Sequence, residues 1–271
     1  MSIKQKVTTL PKELYQNRAL IFQLAKNDFK TKYAGSYLGI IWAFIQPIIT
    51  VLVYWFVFSV GLKAGKANDY PFVIYLVTGI VPWFFFQDAL NGGTNALVEY
   101  NYLVKKVVFK ITILPMVKVI SALFVHMFFV LVALVLCCCF GYWPSFALIQ
   151  IVYYSFCVFA FSLALCYATS AIVVFFRDLT QIINIILQVG IWMTPIMWDI
   201  RMLEDHPMVM QLFKLNPIYY IVTGYRDAFL AHNWFFERWK WTIYFWVVTF
   251  VILLVGVKIF KRLKVHFADV L

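Results

Sequence analysis

Charged side chains are scarce in this 271-residue chain: Asp, Glu, Lys and Arg together make up 13% of it, and only 12 of its residues are acidic. No Ser-centred nucleophile elbow, no His-Glu-x-x-His, no paired carboxylates inside an apolar run and no nucleotide-binding loop can be found, so catalysis within this chain is not expected. Residues 61–67 (Gly61 to Ala67) superficially resemble a phosphate-binding loop. They have one residue too few between the glycines, Ala67 in place of the required Ser or Thr, and no preceding strand. The five cysteines (Cys137, Cys138, Cys139, Cys157, Cys166) have neither disulfide nor zinc spacing and all lie in apolar runs, which reads as small buried residues. No metal site and no resident cofactor are expected. The first six residues run into polar sequence without a short apolar core or a small-residue cleavage site, so no signal peptide is expected.

What is present is apolar. The sequence is 64% hydrophobic and 20% aromatic, with a mean hydropathy of +0.85. Several runs approach the ~20 residues that cross a bilayer as a helix. The expectation is an all-α integral membrane protein that crosses the bilayer several times. The net charge of +11 sits beside apolar spans rather than on a soluble face, and no recognition motif accompanies it. Membrane topology therefore explains the charge better than nucleic acid does.

In order along the chain, residues 1–36 form an N-terminal amphipathic interface segment. Leu14, Phe22, Ala25, Phe29 and Tyr33 share one side of a helix over 11–33, with Arg18, Lys26, Lys30 and Lys32 elsewhere. Residues 37–271 carry six transmembrane helices, at about 37–61, 72–90, 115–140, 146–176, 179–198 and 241–260. Lys118 can snorkel from the end of the third. His126 has no metal-ligand companion and reads as a hydrogen-bonded bundle residue. Ala160, Ala164 and Ala168 make a small-residue ridge for close helix contact. Residues 91–114 are polar and basic with a short helical excursion. Residues 199–240 are too apolar for a loop and too broken at Asn216-Pro217 to span, the pattern of a re-entrant helix pair before the last span. Six spans put both termini on one side, and the distribution of Lys and Arg makes that side cytoplasmic.

The fifth span carries a polar stripe. Gln181, Asn184, Gln188, Trp192 and Pro195, with Arg177, project onto an arc of roughly 80° on a helix. Such a stripe at membrane depth faces a wet pathway or another helix, and both readings stand at this point. Gln46 in the first span carries the same two readings.

As a set, several motifs are more specific. Tyr33-x-x-Ser36-x-Leu38-Gly39-x-x-Trp42 with Pro47, Asn101-x-Leu103-Val104-Lys105-Lys106 leading to Leu114-Pro115, Arg177-Asp178-Leu179 with Trp192-x-Thr194-Pro195-Ile196, and Asn216-Pro217 followed by Arg226 resemble the permease subunits of ABC exporters for cell-surface polysaccharides and teichoic acids. Lys110 stands where many relatives have proline.

The resemblance implies a homodimer of six-span permeases in a bacterial plasma membrane, bound to two copies of a separate ABC ATPase that holds ATP and Mg. It implies export of a lipid-linked cell-envelope polymer, teichoic acid being favoured over O-antigen or capsule. The alternative is an ABC permease exporting a small amphiphile or drug. Residues 97–110 would then be the coupling helix, with Glu99, Tyr100, Lys105 and Lys106 contacting the ATPase. Lys30, Lys32, Tyr33 and Arg177 would meet the anionic headgroup at the entrance. Trp42, Gln181, Asn184, Gln188 and Trp192 would line the translocation pathway.

Overall fold

The structure is a computed structural model that describes residues 11–32, 35–63, 66–67, 70–105 and 110–270. Among them helix dominates. α1 (Arg18–Thr31) precedes α2 (Trp42–Trp55), which is entered through a 3-10 turn and leaves through a π turn. Two antiparallel strands of two residues each (Lys66–Ala67 and Tyr70–Pro71) lead into α3 (Phe72–Glu99), followed by α4 (Asn101–Val104), α5 (Leu114–Cys139), α6 (Gln150–Val173) and α7 (Leu179–Met193). Two short helices, α8 (Pro207–Lys214) and α9 (Pro217–Arg226), precede α10 (Trp239–Leu263) and α11 (Phe267–Val270).

Among the described residues, five helical stretches are long and apolar enough to cross a membrane: Gly39–Gly61, Phe72–Glu99, Ile111–Cys139, Phe146–Val173 and Phe235–His266. α7, at 15 residues, is about 22 Å long and falls short of that measure. The helix expected to run to Trp198 stops at Met193, because Thr194 turns to extended backbone. Pro195 is therefore not on the helical stripe.

α3 is the centre of the bundle and packs against α5, α6, α9, α7 and α2. It is continuous to Glu99, well past the expected end at Leu90. The polar run from Asn91 continues this helix, and Gly93 sits at a close helix approach: a side chain there would collide with Cys166, whose thiol reaches the Ala89 carbonyl. The helical excursion expected over 97–110 is reduced, among the described residues, to Asn101–Val104.

The small-residue ridge of α6 meets α10 as its spacing implied. A Cβ built on Gly256 would lie 2.8 Å from the Ala164 carbonyl oxygen and 3.1 Å from the Ala168 nitrogen. α1 packs on α5, but through Ile21, Ala25 and Asp28. The expected apolar side is rotated: Phe22 is mostly exposed and only edges onto Phe124. The reason is Asp28, which is drawn inward by a lysine.

Candidate functional site

A cavity of about 300 Å³ opens between α2, α3 and α5. α2 lines it with Trp42, Gln46, Thr50 and Tyr54, and α3 with Gln87, Asp88 and Asn91. His126 and Phe129 of α5 and Ile191 of α7 close it. A second cavity of about 370 Å³ shares Asp88, Asn91 and Ala122 with the first and extends to Asp28, Lys32, Asn95, Glu99 and Lys118. Together they make one groove with an ionic mouth and a polar and aromatic interior. The Asn91 Oδ1 is buried and has no hydrogen-bond partner, which leaves an acceptor for a polar guest or water.

Gln87, Asn91 and Asn95 recur every fourth residue and therefore share one face of α3. Ending that span at Leu90 cut this series in two; carried through as one helix, the spacing is a visible signal. Thr180 Oγ1 donates to Asn95 Oδ1 at 2.8 Å and fastens the first turn of α7 to the same face.

The mouth is organised around Lys118. Its ammonium reaches Asp28 Oδ1 at 2.6 Å and also pairs with Glu99; the Lys118 and Asp28 side chains are 9% and 6% exposed. Lys118 is thus buried in an ion pair and does not snorkel. Tyr100 Oη donates to Asp28 Oδ1 at 2.8 Å. Burial, and then that bond to a carboxylate, push the Tyr100 phenol above its usual pKa. Lys32 pairs with Asp88 across the same cavity.

His126 is buried, with Nε2 2.9 Å from Tyr225 Oη and 3.2 Å from Ser155 Oγ, as a bundle histidine should be.

The other residues singled out by the sequence divide into groups. Trp42 lines the groove directly, and Gln46 beside it is an exposed lining residue. Trp192 is half exposed and meets Tyr54 edge-on, ring centres 6.4 Å apart, so α7 and α2 approach on that side. Gln181, Asn184 and Gln188 are exposed, because α7 turns only Ile183, Leu187 and Ile191 into the bundle. Within one chain the stripe therefore lies beside the groove on an open surface. Arg177 is exposed in the turn before α7, Lys30 is exposed on α1, and Lys105 is exposed after α4. Glu99 and Tyr100 bond inward to Lys118 and Asp28. Tyr33 and Lys106 lie outside the described residues.

At the far end of the bundle, sequence reasoning missed the role of Arg226. Its guanidinium lies 3.5 Å from the centre of the Tyr75 ring and donates to the carbonyls of Pro195 (2.6 Å) and Ile196 (2.8 Å). Asn216 caps α9 at the Ile218 nitrogen and donates to Thr194 Oγ1 at 3.0 Å. Two motifs separated in sequence, Thr194-Pro195-Ile196 and Asn216-Pro217 with Arg226, are thus one structural joint between α7, α9 and α3.

A polytopic helical bundle with a polar groove running inward from one ionic mouth is the architecture of a membrane transport component. The ABC-2 type transporter family profile matches residues 19–230, and the chain belongs to that family; it is a transport subunit, not an enzyme. It is 31% identical over 224 residues to the O-antigen export system permease protein RfbA of Myxococcus xanthus, covering 83% of this chain and 85% of the relative. Two proteins of the same name from Klebsiella pneumoniae are 24% and 22% identical over 255 residues, each match covering 93% of this chain and 95% of the relative.

Proposed function

We propose that this chain is the membrane-spanning half of an ATP-driven exporter that moves a lipid-linked cell-envelope polysaccharide across the bacterial plasma membrane. The observation that carries the reading is the groove itself, joined to an apolar one. Next to the polar cavity, and sharing Val81, Phe84 and Phe129 with it, runs a wholly apolar groove of about 470 Å³ between α2, α3 and α5. A substrate with a polar anionic head and a long hydrocarbon tail needs those two surfaces side by side. The relatives' names support an O-antigen-type polymer and replace the lean towards teichoic acid.

On this reading both termini and the Lys118 cluster are cytoplasmic, and α7 with its flanks is the sixth span. A second copy of the chain covers the exposed stripe of Gln181, Asn184, Gln188 and Trp192, which with Trp42 lines a shared path. Two copies of a separate ABC ATPase, holding ATP and Mg, dock near Asn101–Val104, with Glu99, Tyr100, Lys105 and Lys106 at or behind that contact. Lys30, Lys32, Tyr33 and Arg177 gather the headgroup at the entrance. α8 and α9 are the re-entrant pair at the outer face.

The test is export in cells and substrate-stimulated ATP hydrolysis after reconstitution with the partner ATPase. Arg177→Ala and Gln188→Leu, expressed and assembled normally, are expected to lower both by about tenfold or more, as the loss of one to two polar contacts implies. Full export by both variants rejects the pathway assignment. Stimulation by small amphiphiles but not by lipid-linked saccharide favours the drug-exporter alternative.

A further inference from the structure

At the end of the bundle opposite the Lys118 cluster, two cavities run together between α9 and the head of α10. One, of about 300 Å³, is lined by Lys214, Tyr219, Tyr220, Thr223, Arg238 and Trp241. The other, of about 180 Å³, shares Tyr219, Thr223 and Arg238 and continues to Tyr75, Asp199 and Arg226. Four cationic side chains line the pair, Arg201 included, against the two carboxylates of Asp199 and Asp227.

Those carboxylates are already engaged. Asp227 is buried and holds Arg238 at 3.1 Å, and Asp199 holds Arg201 at 2.9 Å. Lys214 has no carboxylate partner among the described residues, and the buried Arg226 Nε has no acceptor. The crevice therefore carries positive charge that its own acids do not cancel, next to phenol, indole and hydroxyl groups. Charge-assisted donors bind carboxylate or phosphate, aromatic surfaces pack against the C–H faces of a sugar, and a threonine hydroxyl pairs with a sugar hydroxyl.

We propose that this crevice is a binding site for an anionic sugar unit, in which Lys214 and Arg238 take the acidic group, Trp241 and Tyr219 take the ring, and Thr223 takes a hydroxyl. The inference deepens the polysaccharide-export reading by giving the outer face a subsite for an acidic residue of the polymer. Because its test measures binding, it stands or falls separately from export.

The experiment uses the full-length chain with its partner ATPase in nanodiscs, and follows binding by calorimetry and saturation-transfer NMR. The probes are tetragalacturonate, glucose 6-phosphate, neutral maltotetraose and inorganic phosphate. Binding of either acidic sugar at least about tenfold tighter than maltotetraose and phosphate is expected, and which acidic probe binds tells carboxylate from phosphate. Lys214→Ala should weaken that binding about tenfold, Lys214→Arg should restore most of it, and both should melt at the parent temperature. Failure of both acidic sugars to bind, equal binding of maltotetraose or of phosphate alone, or unchanged affinity in Lys214→Ala overturns the site. Binding without export in cells removes the export reading and leaves the site; export without binding does the reverse.

Discussion

Lys118 on α5 and Asp28 on α1 form a nearly buried ion pair at 2.6 Å, and the same lysine holds Glu99 at the end of α3. Tyr100, the residue that leads into α4, adds a second tie by donating to Asp28. Three elements, the N-terminal helix, the end of the central helix and the start of the following segment, are thus fixed to one ammonium. Through Tyr100 and Asp28, the start of α4 and α1 are linked by side-chain bonds in this cluster.

Removing one partner leaves the other charge buried and uncompensated. Lys118→Met or Asp28→Asn alone should cost about 3–5 kcal/mol, whereas the double variant Lys118→Met with Asp28→Leu should recover much of that. Thermal unfolding of the purified chain measures the stability. If the cluster transmits motion, the recovered double variant should still show ATP hydrolysis no longer stimulated by substrate. Full coupling in that variant reduces the cluster to a structural clamp.

Tyr100 sets a pH limit. Its folded-state pKa is raised by burial and by the Asp28 carboxylate, so the unfolded chain gives up this proton first as pH rises. The unfolded state then binds fewer protons than the folded one, and stability falls above about pH 10 while staying flat through neutrality with respect to this group. Tyr100→Phe should remove this part of the alkaline loss, which denaturation at pH 7 and pH 11 can compare.

Arg226→Lys should not be a conservative change. A lysine cannot bond both the Pro195 and Ile196 carbonyls while stacking on Tyr75, and the fork it replaces does all three. A loss of about 2–3 kcal/mol is expected, with faster amide hydrogen exchange in residues 190–200 than in α6. Exchange that accelerates equally everywhere would mean that the joint is not local.

Gly256 and Gly61 should behave oppositely. Gly256→Ala forces a methyl against the Ala164 carbonyl, so α6 and α10 must separate at a cost of about 1–3 kcal/mol. A Cβ on Gly61 meets nothing within 4 Å, so Gly61→Ala should stay within about 0.5 kcal/mol of the parent. Paired melting curves decide this.

Periodicity placed the elements well where it was unbroken. The small-residue ridge of α6, the two short helices divided at Asn216-Pro217, and the bundle role of His126 were legible because each depends on local spacing or on the absence of companions. The length of α3 was not, because the polar residues from Asn91 onward read as a separate segment, whereas in space Gly93 packs closely on Cys166 and the helix runs on. Nor was the buried side of α1. A lone aspartate reads as a solvated residue until the lysine 90 positions away is seen beside it.

The sequence by itself determined that this chain is a predominantly helical membrane protein, since so much apolar surface has no other solvent, and its ordered motifs resembled a transporter family across nearly the whole length. Only the tertiary structure decided which polar residues share a space. Gln46 of α2, Asp88 and Asn91 of α3 and His126 of α5 come from three different helices and meet in one groove, while Gln181, Asn184 and Gln188 face outward beside it. Local pattern fixes which face of a helix is polar; what that face meets depends on long-range packing, which no spacing along one helix encodes.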